Sequence, residues 1–230
     1  MPVPAYLIEH PKGRAIFDSG LHVETQTDPN SRLGRLSSFH TVGFKPGEEI
    51  AARLDTLGVG ASNIDFIINS HLHFDHCGGN QQLPNATLLI QRREWEAAHN
   101  ADLIESVYYD PHDYDHGHKV KMLDGEHDVF GDGSVVCFPT PGHTPGHQSL
   151  RVRIGSDEVV MTGDACYLRR TLDNFHLPTA MYDRDQMLES IRRLRVLRDG
   201  GAMIITGHDP ELWQTIPQAP DRLAAVRTAA

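Results

Sequence analysis

The sequence predicts a mixed α/β fold, and three observations carry that reading. Short apolar runs bounded by turn residues recur between residues 6 and 206, segments with helical spacing lie between some of them, and the two kinds are mixed along the chain. The class is therefore α/β or α+β, and one domain over residues 1–230 is the expectation at this length.

Taken in order, residues 6–9 and 15–18 read as strands, separated by Pro11 and Gly13. Residues 20–46 show no sustained period. Residues 48–57 have helical spacing, and 66–69 and 87–91 are apolar runs of buried-strand length. Residues 92–100 follow as a helix, and 101–119 again lack a period. Further strands are expected at 135–139, 150–154, 159–162 and 203–206. Met187, Ile191, Leu194 and Leu197 form the apolar stripe of a helix over 185–197. The two aperiodic stretches are longer than ordinary connections, which marks them as candidate walls of a cleft.

The formal charge is −10 with no Lys/Arg block, so neither nucleic acid nor an anionic membrane surface is expected as a partner. Cys77, Cys137 and Cys166 cannot close a disulfide framework. No apolar stretch reaches membrane-spanning length, and the start has no apolar leader pattern. These features predict a cytoplasmic protein.

Fifteen histidines stand out, and several fall in short motifs. After the strand at 66–69 comes Ser70-His71-Leu72-His73-Phe74-Asp75-His76-Cys77-Gly78-Gly79, with four potential metal ligands in six positions. Alternation in an extended segment points His71 and His73 the same way, and Gly78-Gly79 are expected to free the backbone for a turn. Imidazole with carboxylate suits a borderline divalent ion such as Zn²⁺, and Fe, Mn or Co fit the same donors. Three more strands end in a Gly followed by a candidate ligand: Gly142-His143, Gly163-Asp164 and Gly207-His208.

In this order and spacing, H-x-H-x-D-H followed by separated His, Asp and His resembles the metallo-β-lactamase superfamily across nearly the whole chain. The resemblance implies a four-layer αββα sandwich and two metal ions. By it, His71, His73 and His143 bind the first ion, Asp75, His76 and His208 the second, and Asp164 bridges both. Such a pair activates a bridging hydroxide for hydrolysis, and Asp75 is the candidate to pass the proton to the leaving group. Gly163-Asp164-Ala165-Cys166-Tyr167 and the segment around Thr140-Pro141-Gly142-His143-Thr144-Pro145-Gly146-His147 resemble the N-acyl homoserine lactonases. That branch implies a small-molecule lactone substrate, a hydrogen bond from Tyr167 to its carbonyl oxygen, and a homodimer.

An apolar groove for an acyl chain has candidates in Leu21, Leu33, Leu36, Phe39 and Phe44, and in Leu103, Ile104, Val107, Tyr108 and Tyr109. Packing of the two stretches onto the domain is the competing account of these residues. His147 is expected outside the ligand set, and His112, His116 and His118 in a solvated loop.

Among rival hydrolases, a glyoxalase II-like thioesterase would carry a longer C-terminal helical region than residues 209–230. A β-lactamase of the best-known type would carry Cys at position 164. A lactonase for another ring, such as a pyridoxolactonase, shares the whole pattern. An iron-dependent redox protein of the same fold would depart from this seven-residue set. Relatives in the lactonase branch usually have additional strand-forming sequence ahead of the stretch that begins here at Met1-Pro2-Val3-Pro4.

Overall fold

The computed structural model describes residues 1–223. In chain order the described elements are β1 (Tyr6–His10), β2 (Gly13–Phe17), α1 (Pro29–Leu33), α2 (Ile50–Asp55), β3 (Phe66–Ile68), α3 (Phe74–Cys77), β4 (Thr87–Gln91), α4 (Arg92–Ala98), α5 (Ala101–Val107), α6 (Pro111–Tyr114), β5 (Val120–Leu123), β6 (His127–Asp128), β7 (Val135–Pro139), β8 (Gln148–Ile154), β9 (Asp157–Met161), α7 (Arg169–Asn174), α8 (Arg184–Asp199), β10 (Met203–Ile205) and α9 (Pro210–Trp213). They fall in two compact units built from separate segments: residues 3–89 with 98–121, and residues 1–2 with 90–97 and 122 onward.

The first unit carries most of a five-stranded sheet of order β1-β2-β3-β4-β5. β1 runs antiparallel to β2, Tyr6 opposite Phe17, while β2, β3 and β4 are mutually parallel. Parallel neighbours require crossover connections, and here the crossovers hold α1, α2 and α3. Ile16, Ile67, Ile68, Leu88 and Leu89 are all buried, which explains why these strands read as unbroken apolar runs. The parallel arrangement brings the C-terminal ends of β2 and β3 to one edge, where Asp18 and His71 follow.

Both aperiodic stretches prove to contain short helices. Asp28 caps α1, accepting from the Ser31 amide with Pro29 in the first turn, and Asn100 and Asp110 cap α5 and α6 in the same way. Elements of four to seven residues contain too few turns to show a period. The solvated loop expected at 110–118 needs correction as well. His112 is exposed, but Asp113 is buried in an ion pair with Arg32, and Tyr114 is buried beside it with its hydroxyl donated to Ala98 O at 2.6 Å.

The second unit holds a sheet of order β10-β9-β8-β7-β6, with β10 parallel to β9 and antiparallel pairing from there to β6. α8 buries Met187, Ile191 and Leu194 against Phe138, Val160 and Leu172, as its stripe predicts. Its start is fixed by Asp183, which accepts from the Asp185 and Gln186 amides. Because β9 and β10 are parallel, Asp164 and His208 follow strand ends on the same edge. Among the described residues, no helix is long and apolar enough to cross a membrane.

Candidate metal centre

In the first unit, hydrogen bonds assign the ring protons of three histidines. Ser70 Oγ donates to Asp18 Oδ2 at 2.8 Å, so it accepts from His71 Nδ1 at 2.9 Å. His76 Nδ1 donates to the same carboxylate at 2.8 Å. His73 Nε2 lies 2.7 Å from the Val107 carbonyl, which only accepts. The nitrogens left without a proton are therefore His71 Nε2, His73 Nδ1 and His76 Nε2.

Two of these lone pairs, on His71 and His73, face one another at 2.9 Å. The donor atoms of His71 and His76 lie within 4.8 Å of each other, as do those of Asp75 and His76. Converging lone pairs repel unless a cation shares them. The second nitrogen of each ring is held by protein, the orientation that imidazole ligands adopt around a metal.

Asp18 supplies much of this order and was not singled out from sequence. Its carboxylate accepts from Ser70 N at 2.6 Å, from Ser70 Oγ and from His76. A carboxylate directly after a buried apolar strand, Ala15-Ile16-Phe17-Asp18, is the signal that could have revealed it. Gly78 also plays a different part from the expected one. Its φ is −60°, and a Cβ there would stand 2.4 Å from His22 N, so close backbone approach requires the glycine.

In the second unit, Asp164 lies between two imidazoles. Its Oδ1 is 2.8 Å from His208 Nε2 and its Oδ2 is 3.3 Å from His143 Nε2. His208 Nδ1 donates to the Pro2 carbonyl at 2.9 Å, which leaves Nε2 as the donor toward a cation. All three side chains are buried. Half-buried Tyr167 stacks edge-on against both rings, with centroids 5.5 Å from His143 and 5.3 Å from His208, and its hydroxyl lies 3.5 Å from His143 Nδ1.

The loop carrying His143 is clamped from two sides. Glu94 of α4, fully buried, accepts from Thr144 Oγ1 at 2.7 Å and from Gly146 N at 2.9 Å. On the other side Gly142, at φ 131°, lies so close to α8 that a Cβ would stand 2.2 Å from Met187 N. His147 uses both ring nitrogens within the protein, on Asp164 N and Thr140 Oγ1.

The first unit thus offers three imidazoles of fixed tautomer with the Asp75 carboxylate, and the second offers His208 of fixed tautomer with His143 and Asp164, a chemistry that fits divalent ions of the zinc type. Of the candidate groove residues, Leu33, Val107 and Tyr109 are buried in packing, whereas Phe39 and Tyr108 are exposed.

The profile described as the metallo-β-lactamase superfamily matches residues 1–208. The chain belongs to the metallo-β-lactamase superfamily. Among its curated relatives, the N-acyl homoserine lactonase AttM of Azorhizobium caulinodans is 36% identical, the match covering 96% of this chain and 86% of that protein. The N-acyl homoserine lactonase AiiA of Bacillus thuringiensis subsp. kurstaki is 32% identical, with 92% and 82% covered. A solved N-acyl homoserine lactone hydrolase, holding N-hexanoyl-L-homoserine at its catalytic metal centre, superposes with a TM-score of 0.80 at 29% identity over 95% of this chain and 86% of that one. The mixed α/β class with two mixed sheets is that of this metallo-β-lactamase neighbour.

Proposed function

We propose that this metallo-β-lactamase-superfamily protein is a dinuclear metal-dependent hydrolase that opens the lactone ring of N-acyl homoserine lactones. The observation that carries the hydrolase chemistry is Asp164, whose two carboxylate oxygens each face a different imidazole. That is the disposition needed of a bridging ligand, and kinship with lactonases over most of both chains names the substrate class.

In this reading His71, His73 and His143 would hold one ion, Asp75, His76 and His208 would hold the other, and Asp164 would be shared by both. Such a pair of ions would supply Lewis acidity to activate a water and to polarise the ester carbonyl. The side chains supply the rest. Tyr167 donates its hydroxyl proton as a hydrogen bond to the lactone carbonyl oxygen, where negative charge develops. Asp75 Oδ2, 3.7 Å from His76 Nε2, takes the proton released by the attacking water and delivers it to the ring oxygen as the C–O bond breaks. Glu94 and Gly142 fix the turn that carries His143, and Asp18 separately fixes Ser70 and His76, before substrate arrives.

The family match runs through both units, which supports treating them as halves of one domain. The donor set favours Zn²⁺, with Fe, Mn or Co as alternatives that metal availability would select. Three buried free cysteines support a reducing, cytoplasmic setting. A homodimer is part of the proposal by kinship alone, and light scattering on the purified protein tests it.

The deciding experiment is pH-stat proton release by metal-analysed protein with short- and long-chain N-acyl homoserine lactones, and with S-lactoylglutathione alongside. Rapid lactone opening at about two metals per chain is expected. Turnover of the thioester with silence on every lactone would overturn the assignment in favour of a thioesterase.

A further inference from the structure

A chain of hydrogen bonds in the second unit has a direction that the atoms themselves fix. Ser149 Oγ donates to the Thr162 carbonyl at 3.0 Å, so its oxygen accepts from Thr140 Oγ1 at 2.8 Å. Thr140 has then spent its one proton and accepts from His147 Nδ1 at 2.9 Å. His147 Nε2 is consequently unprotonated, and it accepts the Asp164 amide N–H at 3.0 Å. Thr140, His147, Ser149 and Thr162 are each 0% exposed.

The chain begins at the amide of Asp164 and ends at the carbonyl of Thr162, two residues earlier, so it closes around Gly163. That glycine holds φ 51°, and the Thr162 hydroxyl ties the same turn to Gly163 O at 2.9 Å and Cys166 O at 3.1 Å. The direction in which the Asp164 carboxylate points is therefore set by a turn whose outer support is an imidazole from the connection between β7 and β8.

We infer that His147 is a positioning residue for the bridging carboxylate, acting through the Asp164 backbone, and that Thr140 fixes its tautomer. The inference rests on the reading of Asp164 as the ligand shared by two ions. A histidine retained only to fill space would not need both nitrogens engaged in a one-way relay, and an apolar ring of similar size would replace it without consequence for metal binding.

The test uses the metal-free full-length chain titrated with Co²⁺ and with Zn²⁺ against a competing chelator, in wild type, His147→Phe, His147→Gln and Thr140→Val. His147→Phe is expected to keep the circular dichroism of the fold, to bind the ions about 10- to 100-fold more weakly, and to change the visible Co²⁺ spectrum. His147→Gln, whose amide oxygen can accept the Asp164 N–H, is expected to recover most of the affinity and the wild-type spectrum. Thr140→Val keeps the imidazole and its volume, so it should shift affinity in the same direction as His147→Phe even if that variant folds poorly.

Wild-type affinity and spectrum in His147→Phe, or no recovery in His147→Gln relative to it, would overturn the inference. Binding and spectra are read without any lactone. A wrong substrate assignment would therefore appear in wild-type turnover alone and leave this outcome intact.

Discussion

His76 Nδ1 donates to Asp18 Oδ2 at 2.8 Å, while Asp18 itself holds a left-handed backbone at φ 56°. Non-glycine residues rarely occupy that region, and the strain costs roughly 1–2 kcal/mol. What it secures is one carboxylate that accepts three hydrogen bonds and fixes the ring protons of His76 directly and of His71 through Ser70. Asparagine tolerates the same backbone but replaces one acceptor oxygen with a donor. Asp18→Asn is therefore expected to weaken metal binding by about 10- to 100-fold with the fold retained. Unchanged metal affinity in a chelator competition would show that the tautomers are held by other means.

Tyr167→Phe removes a hydroxyl without disturbing the ring that packs on His143 and His208. Turnover of lactones is expected to fall by about 1–3 kcal/mol of transition-state stabilisation, the contribution of one hydrogen bond to a charged oxygen, at unchanged metal content. A wild-type rate would reduce Tyr167 to a packing residue.

Gly142→Ala sets a methyl group 2.2 Å from Met187 N at a backbone angle that alanine avoids. The loop carrying His143 and the start of α8 cannot both keep their places. A loss above about 3 kcal/mol in chemical denaturation, or failure to fold, is expected, and a loss below about 1 kcal/mol would mean that the contact relaxes easily.

Removing bound metal should itself destabilise the protein, because His71 Nε2 and His73 Nδ1 then face one another at 2.9 Å with no cation to share. Dialysis against a chelator should lower the melting temperature, and about a hundredfold excess of Zn²⁺ over its dissociation constant should return roughly 2.7 kcal/mol. Identical melting curves with and without chelator would count against a resident metal.

Burial pushes the Cys166 thiol up to about 12, and Cys77 and Cys137 are buried as well. The thiolate is the reactive form, so at pH 8 Cys166 remains protonated and shielded. A thiol reagent should find no fast-reacting cysteine in the native protein and three after denaturation. Rapid native labelling would show that the core around α7 and α8 opens readily.

Most of the scaffold was legible in the sequence because its strands are buried on both faces. Ile67-Ile68 and Val159-Val160 advertise themselves as apolar runs, and the ligands follow directly at the strand ends. β5 and β6 were missed for the opposite reason: Val120–Leu123 buries only Leu123, and His127–Asp128 is two polar residues paired at a sheet edge. The seven candidate ligands could be named from spacing and family resemblance, but their supports could not. Asp18, Glu94 and the carbonyls of Val107 and Pro2 act across long stretches of chain through one to three hydrogen bonds each, and no local pattern records such a partner.

The bond from His208 Nδ1 to the Pro2 carbonyl joins positions 206 residues apart. During synthesis at about 5–20 residues per second, roughly 10 to 40 seconds separate the appearance of these two residues. A nascent chain consequently presents His71, His73 and His76 to the surrounding metal pool well before His208 and its support exist together.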